Sequence, residues 1–405
     1  MRDLLRHRDF RILLTGQIVS MFGDTVFLLG LGIWTKILTG SSALAGSVIL
    51  CFVIPGLAAP LFGVLIDRFP RRAVLLVNDG ASAVFVLLLL LVNGREDLWI
   101  IYLVALLYGT ALVVGSSARS ALLPSVVDDE ILPAANASLT TAREALRLVG
   151  PLTGAALIAA FGGHALALLD SATFVVSVIC LLLIHPVEAA STSASVPFRE
   201  EVMAGLHHIM GSPVLRRLLV VGLVFCSAIG ISESVYFAVV DEGLHRSPTF
   251  LGVLSSTQGI GAIAGGVASA FIIKRLGELH SVGLGAFSCA VGAALSTSSM
   301  LPVVILGTLF FGAALPLLVV ASVTLIQRRT PNELQGRVLT GFSLAESVPQ
   351  TASIAIGAML VAVVDYRLLL LAMAIGLALS GVAALLPVRQ PVPLASALEG
   401  SGQAG

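Results

Sequence analysis

The ten residues Gly63-Val64-Leu65-Ile66-Asp67-Arg68-Phe69-Pro70-Arg71-Arg72 carry four charges in their last six positions and stand between two long apolar stretches. A charge costs about 2.5–3.5 kcal/mol at the centre of a membrane-spanning helix, so a cluster this tight belongs at a water boundary. The segment reads as a short turn between two spans.

The rest of the chain repeats that arrangement. Hydrophobic residues make up 57% of its 405 residues and charged residues 11%, with a mean hydropathy of +1.02, more apolar surface than a soluble core can absorb. Apolar runs of the roughly 20 residues needed to cross about 30 Å of hydrocarbon recur throughout. Twelve spans are expected, near 12–36, 42–66, 73–93, 98–118, 138–160, 165–184, 214–238, 249–273, 280–299, 302–326, 338–362 and 367–386. The expected fold is an all-α integral membrane protein.

Charge distribution sets the orientation. Arg2, Arg6, Arg8 and Arg11 precede the first span, and alternate loops hold Arg68, Arg71, Arg72, Arg119, Arg199, Arg216, Arg217, Lys274, Arg275, Arg328, Arg329 and Arg337. The opposite loops hold only Lys36, Arg95, Arg246 and Arg367. The positive-inside rule then puts both termini and the central loop in the cytoplasm of a multi-pass protein of the inner or plasma membrane. Net charge is zero, which argues against nucleic acid as a partner. The near-exclusive use of Arg over Lys points to a GC-rich bacterial source.

Residues 185–212 break the apolar pattern with Pro, Glu, Ser and Thr before an amphipathic stretch carrying Glu200, Glu201, His207 and His208. Residues 1–184 are expected as one six-helix bundle, 185–212 as a cytoplasmic linker, 213–390 as a second bundle and 391–405 as a disordered tail. An offset of 203 residues sets Leu123, Pro124, Asp129, Glu130 and Ile131 against Ile326, Gln327, Asn332, Glu333 and Leu334, as a duplicated bundle would. His207 and His208 point to different helix faces and lack a third ligand nearby, so no metal is expected. Cys51, Cys180, Cys226 and Cys289 are scattered singly and read as packing residues.

Gly63, Asp67, Arg68, Arg71 and Arg72 resemble the loop between helices two and three of the major facilitator superfamily, G-x-x-x-D-R-x-G-R-R, with Pro70 where glycine is usual. The resemblance covers roughly residues 5–390 and implies two pseudo-symmetric six-helix bundles. It also implies that Asp67 binds the start of helix eleven and latches the cytoplasmic side, while Arg68, Arg71 and Arg72 can hold carboxylates or anionic head groups. An ordinary positive-inside loop accounts for the arginines but not for Gly63 with Asp67 at that spacing.

Gly150, Pro151 and Gly154 resemble the G-P-x-x-G segment of the superfamily's proton-antiporting drug exporters. Arg119, Ala121, Leu122, Leu123 and Pro124 look like the macrolide-efflux and enterobactin-exporter branch. Small residues let helices approach, and proline bends a helix where two halves must move.

Charges inside the spans are the candidates for proton coupling or substrate binding. They are Asp24, halfway along the first span; Arg143, Glu144 and Arg147 in the fifth; Glu233 in the seventh; and Glu346 in the eleventh, opposite Arg143 by the 203-residue offset. Asp24 reads either as a proton carrier or as a structural contact between helices. The arginine cluster reads either as transport machinery or as a snorkelling group in which Glu144 and Arg147 pair.

Phe22, Phe27, Trp34, Phe52, Tyr108, Phe225, Tyr236, Phe237, Phe310 and Phe311 could line a cavity for an amphipathic molecule, and Trp99 and Tyr102 suit the interface belt. No G-x-x-x-x-G-K-[ST] loop is present, so ATP is not the direct energy source. One proton crossing ~100 mV carries about 2.3 kcal/mol and a unit of pH adds about 1.4, enough for a several-hundred-fold gradient. The expected partners are a small-molecule substrate, protons and the bilayer, with no cofactor and a monomeric state. Proton-coupled efflux of a drug, antibiotic or siderophore is the leading reading. Metabolite uptake and a non-transporting membrane sensor are the alternatives, and an enzyme is not expected.

Overall fold

A computed structural model describes residues 8–59, 62, 66, 69–127, 132–184, 198–331 and 334–386. Gly63, Asp67 and Arg68 of the charged turn, most of the linker and the 391–405 tail lie outside the described residues, as do the side chains of Glu144, Glu200 and Glu201.

The described chain is helical and contains no strand. The first half comprises α1 (Arg8–Thr39), α2 (Ser42–Val53), α3 (Arg71–Phe85), α4 (Leu98–Leu122), α5 (Leu132–Phe161) and α6 (His164–Leu183). A linker helix α7 (Phe198–Gly211) precedes α8 (Pro213–Ala238), α9 (Leu251–Leu276), α10 (Glu278–Leu295), α11 (Leu301–Arg329), α12 (Gln335–Leu360) and α13 (Tyr366–Leu385). Leu98 and Leu301 open their helices 203 residues apart, as do Leu132 and Gln335.

Ten helices among the described residues are long and apolar enough to cross a membrane. Two further expected spans stand outside those ten. α2 tightens into a 3-10 turn over Ile54–Ala58, where Pro55 cannot donate a helical hydrogen bond, and most of the expected span beyond Ala59 lies outside the described residues. α12 has 26 residues but carries Ser, Thr, Gln, Glu and an internal Pro349, so it is less apolar.

Within the first half α1 packs on α2, α5 and α6, and α3 on α4 and α6. Within the second, α8 packs on α12 and α13, and α11 on α9 and α10. The halves meet through α5 on α9 and through α2 on α8 and α12. α7 lies against α12, with Gly205 so close to the Arg337 backbone that a Cβ would collide.

Helix direction gives the molecule an arginine end, holding Arg8, Arg71, Arg72, Arg216, Lys274 and Arg328, and a Gly40 end. At the arginine end Arg72 donates from Nε to Leu181 O at 2.8 Å and from a terminal nitrogen to Leu182 O at 3.0 Å. It thereby caps carbonyls that the end of α6 leaves unpaired.

Candidate functional site

Tyr108 is the hub of the first half. Its ring is fully buried, stacks on Phe27 at 4.5 Å between centroids, and receives edges from Phe52, Phe85 and Phe174. This aromatic box fixes the phenol, and its hydroxyl reaches Asp24 Oδ1 at 2.6 Å and Asp170 Oδ1 at 3.2 Å. One hydroxyl carries one proton, so two carboxyls compete for a single donor. Thr173 Oγ1 donates to the backbone oxygen of Asp170 at 2.8 Å, while Asp170 Oδ2 is buried with no partner among the described residues. Gly23 makes the cluster possible, because a Cβ there would collide with Thr173 Oγ1 and Asp170 Oδ1.

A third acid lies nearer the arginine end. Asp79 is fully buried on α3, where Ser177 Oγ donates to it at 2.7 Å, Asn78 Nδ2 at 3.0 Å, and the Arg119 guanidinium stands 3.6 Å away. A void of about 10 Å³ bounded by Gln17, Asp79, Arg119 and Ser177 leaves room for about one water. The fields of Arg119 and Asp79 both act on Asp24. Counted along their helices, Asp79, Asp24 and Asp170 lie in that order from the arginine end toward the Gly40 end.

Sequence reasoning found Asp24 but missed Asp79 and Asp170, although both stand inside the expected spans 73–93 and 165–184. Arg119, expected in a loop, stands on α4. The helix runs on to Leu122 and turns its guanidinium toward Asp79.

The other candidates are spread across the two halves. The charge of Arg147 on α5 acts on Glu233 of α8, in the other half. Arg143 is exposed on α5, and no hydrogen bond or ion pair joins it to Glu346 among the described residues. Glu346 is half-buried on α12 and borders a cavity of about 370 Å³ with Phe225, Phe342 and Gln350.

Gly150 and Gly154 press α5 onto Thr25 and Val26 of α1, directly beside Asp24; a Cβ at 154 would lie 2.6 Å from Val26 O. Pro151 leaves the Arg147 carbonyl without its helical donor. The oxygen of Pro151 sits 2.8 Å from where a Cβ of Gly252 on α9 would be.

Most of the aromatic residues expected around a cavity pack in the core instead. Phe27, Trp34, Tyr108 and Phe237 are buried between helices, whereas Phe225 does border the cavity. Trp99 is 64% exposed, while Tyr102 turns inward to bond Ser47 Oγ at 2.7 Å. No group of three His, Cys, Asp or Glu among the described residues is placed to hold a metal.

At the Gly40 end the halves touch. Lys36, 4% exposed, donates to Asp241 Oδ2 across the interface at 2.6 Å and to Gly40 O and Ser42 Oγ within its own half. Gly32 packs on Phe237, and Gly46 on Ser234.

Comparison with known proteins completes the site's context. The chain is 27% identical to the uncharacterized MFS-type transporter y4rN of Sinorhizobium fredii, over 87% of this chain and 87% of that protein. It is 25% identical to the enterobactin exporter EntS of Citrobacter koseri (85% and 83% covered) and 28% identical to the multidrug efflux pump Tap of Mycolicibacterium fortuitum (66% and 68%). Among solved structures, a bacterial homologue of the iron transporter ferroportin in its inward-facing state matches with a TM-score of 0.73 at 19% identity, covering 93% of this chain and 98% of that one. A bacterial homologue in the outward-facing state with soaked iron matches at 0.60 and 18% identity, with the same coverage. The sequence model of the Major Facilitator Superfamily matches residues 13–241 and again 230–404, so with this helical fold the chain belongs to that superfamily of membrane transporters.

Proposed function

We propose that the chain exports small amphipathic molecules across the inner or plasma membrane in exchange for protons, by alternating access, with both termini and the arginine end in the cytoplasm. Efflux is the activity named for EntS and Tap, which supports the direction. The observation that carries proton coupling is the pair Asp24 and Asp170 sharing the one Tyr108 hydroxyl, with an acceptor of Asp170 left over. Burying both carboxyls as charges is costly unless a proton or a cation accompanies them. Among the described residues the groups facing Asp24 are Tyr108, Asp170, Arg119 and Asp79, of which Arg119 is the cationic one. In this reading a proton enters at Asp24 and Asp170, and its loss is coupled to movement of α5 and α1, which the G-P-x-x-G segment holds together.

The contacts described across the Gly40 end support an arrangement closed on the outside, and the better match to the inward-facing ferroportin homologue fits it. Gly63, Asp67, Arg68, Arg71 and Arg72 would then form the latch of the cytoplasmic side. Asp67→Asn is expected to abolish transport with expression intact.

The test uses everted vesicles made acidic inside and a fluorescent amphipathic dye. Wild type is expected to accumulate dye in a protonophore-sensitive way, and Asp24→Asn to lose gradient-driven transport about tenfold or more while retaining dye exchange without a gradient. Full dependence on the gradient in Asp24→Asn would remove the assignment, and accumulation only in right-side-out vesicles would reverse the direction.

A further inference from the structure

We propose that the cavity bordered by α8, α11 and α12 binds a singly charged amphipathic organic cation, with the charge set against Glu346 and the apolar body against Phe225, Leu318 and Phe342. The inference rests on the transport reading and names its substrate class. The cavity measures about 370 Å³, within the roughly 300–1,000 Å³ of small-molecule sites. Its wall is mainly apolar, and Glu346 is its one charged side chain among the described residues.

Ser343, Glu346, Ser347 and Gln350 recur at helical spacing, so α12 presents one polar stripe to the cavity. The neutral members of that stripe can accept or donate around a ligand but cannot neutralise it. Glu346 has no hydrogen bond or ion pair with any described residue. Across from it Gly222 of α8 has no side chain, and a Cβ there would fall on the Glu346 carboxyl. A carboxylate held in an apolar wall without a cation is costly, and a ligand bringing one positive charge offsets that cost. Two phenyl side chains in the lining, Phe225 of α8 and Phe342 of α12, add attraction for a cation. An anionic ligand would meet the carboxylate as a like charge.

The experiment is equilibrium binding of radiolabelled tetraphenylphosphonium to the purified full-length protein in nanodiscs, without a proton gradient, alongside uncharged triphenylphosphine oxide. Wild type is expected to bind tetraphenylphosphonium saturably. Glu346→Gln should weaken it at least tenfold with triphenylphosphine oxide unchanged, and Ser343→Phe should weaken both. Should Glu346→Gln fail to fold, Gly222→Ala, whose added methyl displaces the carboxyl, is expected to show the same selective loss. Equal tetraphenylphosphonium affinity in wild type and Glu346→Gln, or no binding to wild type, overturns the proposal. Binding without gradient-driven pumping would leave this site standing and remove the exporter reading; pumping of uncharged dyes by a protein that does not bind tetraphenylphosphonium would remove the site alone.

Discussion

A methyl group added at position 23 would land on Thr173 Oγ1 and Asp170 Oδ1, so one missing carbon on α1 decides whether Asp170 can share Tyr108 with Asp24. Gly23→Ala is expected to push Asp170 away, lower stability by about 1–3 kcal/mol as overpacking does, and cut gradient-driven transport toward the level of Asp170→Asn. A melting curve beside the vesicle assay checks both effects, and unchanged coupling in a correctly folded Gly23→Ala would detach Asp170 from it. Asp24 was visible in the sequence as a charge within an apolar run, whereas Asp170, in a run of the same kind, was missed. Their partnership was hidden, because Tyr108 lies 84 residues from Asp24 and 62 from Asp170, and local periodicity carries no information at that separation. Tyr108 was read as one more cavity aromatic for the same reason. Only the box formed by Phe27, Phe52, Phe85 and Phe174 marks its hydroxyl as the functional end.

α5 and α6 show how single helices are held. The G-P-x-x-G segment was legible as a close-packing signal, and its neighbours turn out to be Thr25 and Val26 on one side and Gly252 on the other. Gly154→Ala is expected to cost about 1–3 kcal/mol, because its Cβ would meet the rigid backbone oxygen of Val26 and no side chain can yield. A melting midpoint equal to wild type would contradict that packing. Arg72 was legible as a charge but not as a cap, since its acceptors belong to α6, more than a hundred residues on. Arg72→Gln should cost about 1 kcal/mol by leaving the Leu181 and Leu182 carbonyls uncapped, read as faster amide exchange in the last turn of α6.

Hydropathy made the helical membrane fold legible, because it depends on segment length and apolar content alone, and the 203-residue offset reappears in the starts of α4 and α11 and of α5 and α12. Which end of the molecule is closed depends on contacts such as Lys36 with Asp241, 205 residues apart, and was hidden. Lys36 is buried, but Asp241 is 47% exposed and can return to water, so Lys36→Met is expected to shift the balance toward opening of the Gly40 end by only about 0.5–1 kcal/mol, two- to fivefold. Faster labelling of a cysteine placed at Ser234 would report it. The proposal as a whole requires the two ends to open in alternation and the buried acids to set which is open. Spin-label distances in a background with the four cysteines replaced, taken between Arg95→Cys and Arg246→Cys at the Gly40 end and between Ser120→Cys and Gln327→Cys at the arginine end, measure this across pH 5 to 9. One distance should lengthen as the other shortens, with the balance moving with pH in wild type and fixed in Asp24→Asn. Distances that change together, or a pH response untouched by loss of Asp24, would contradict it.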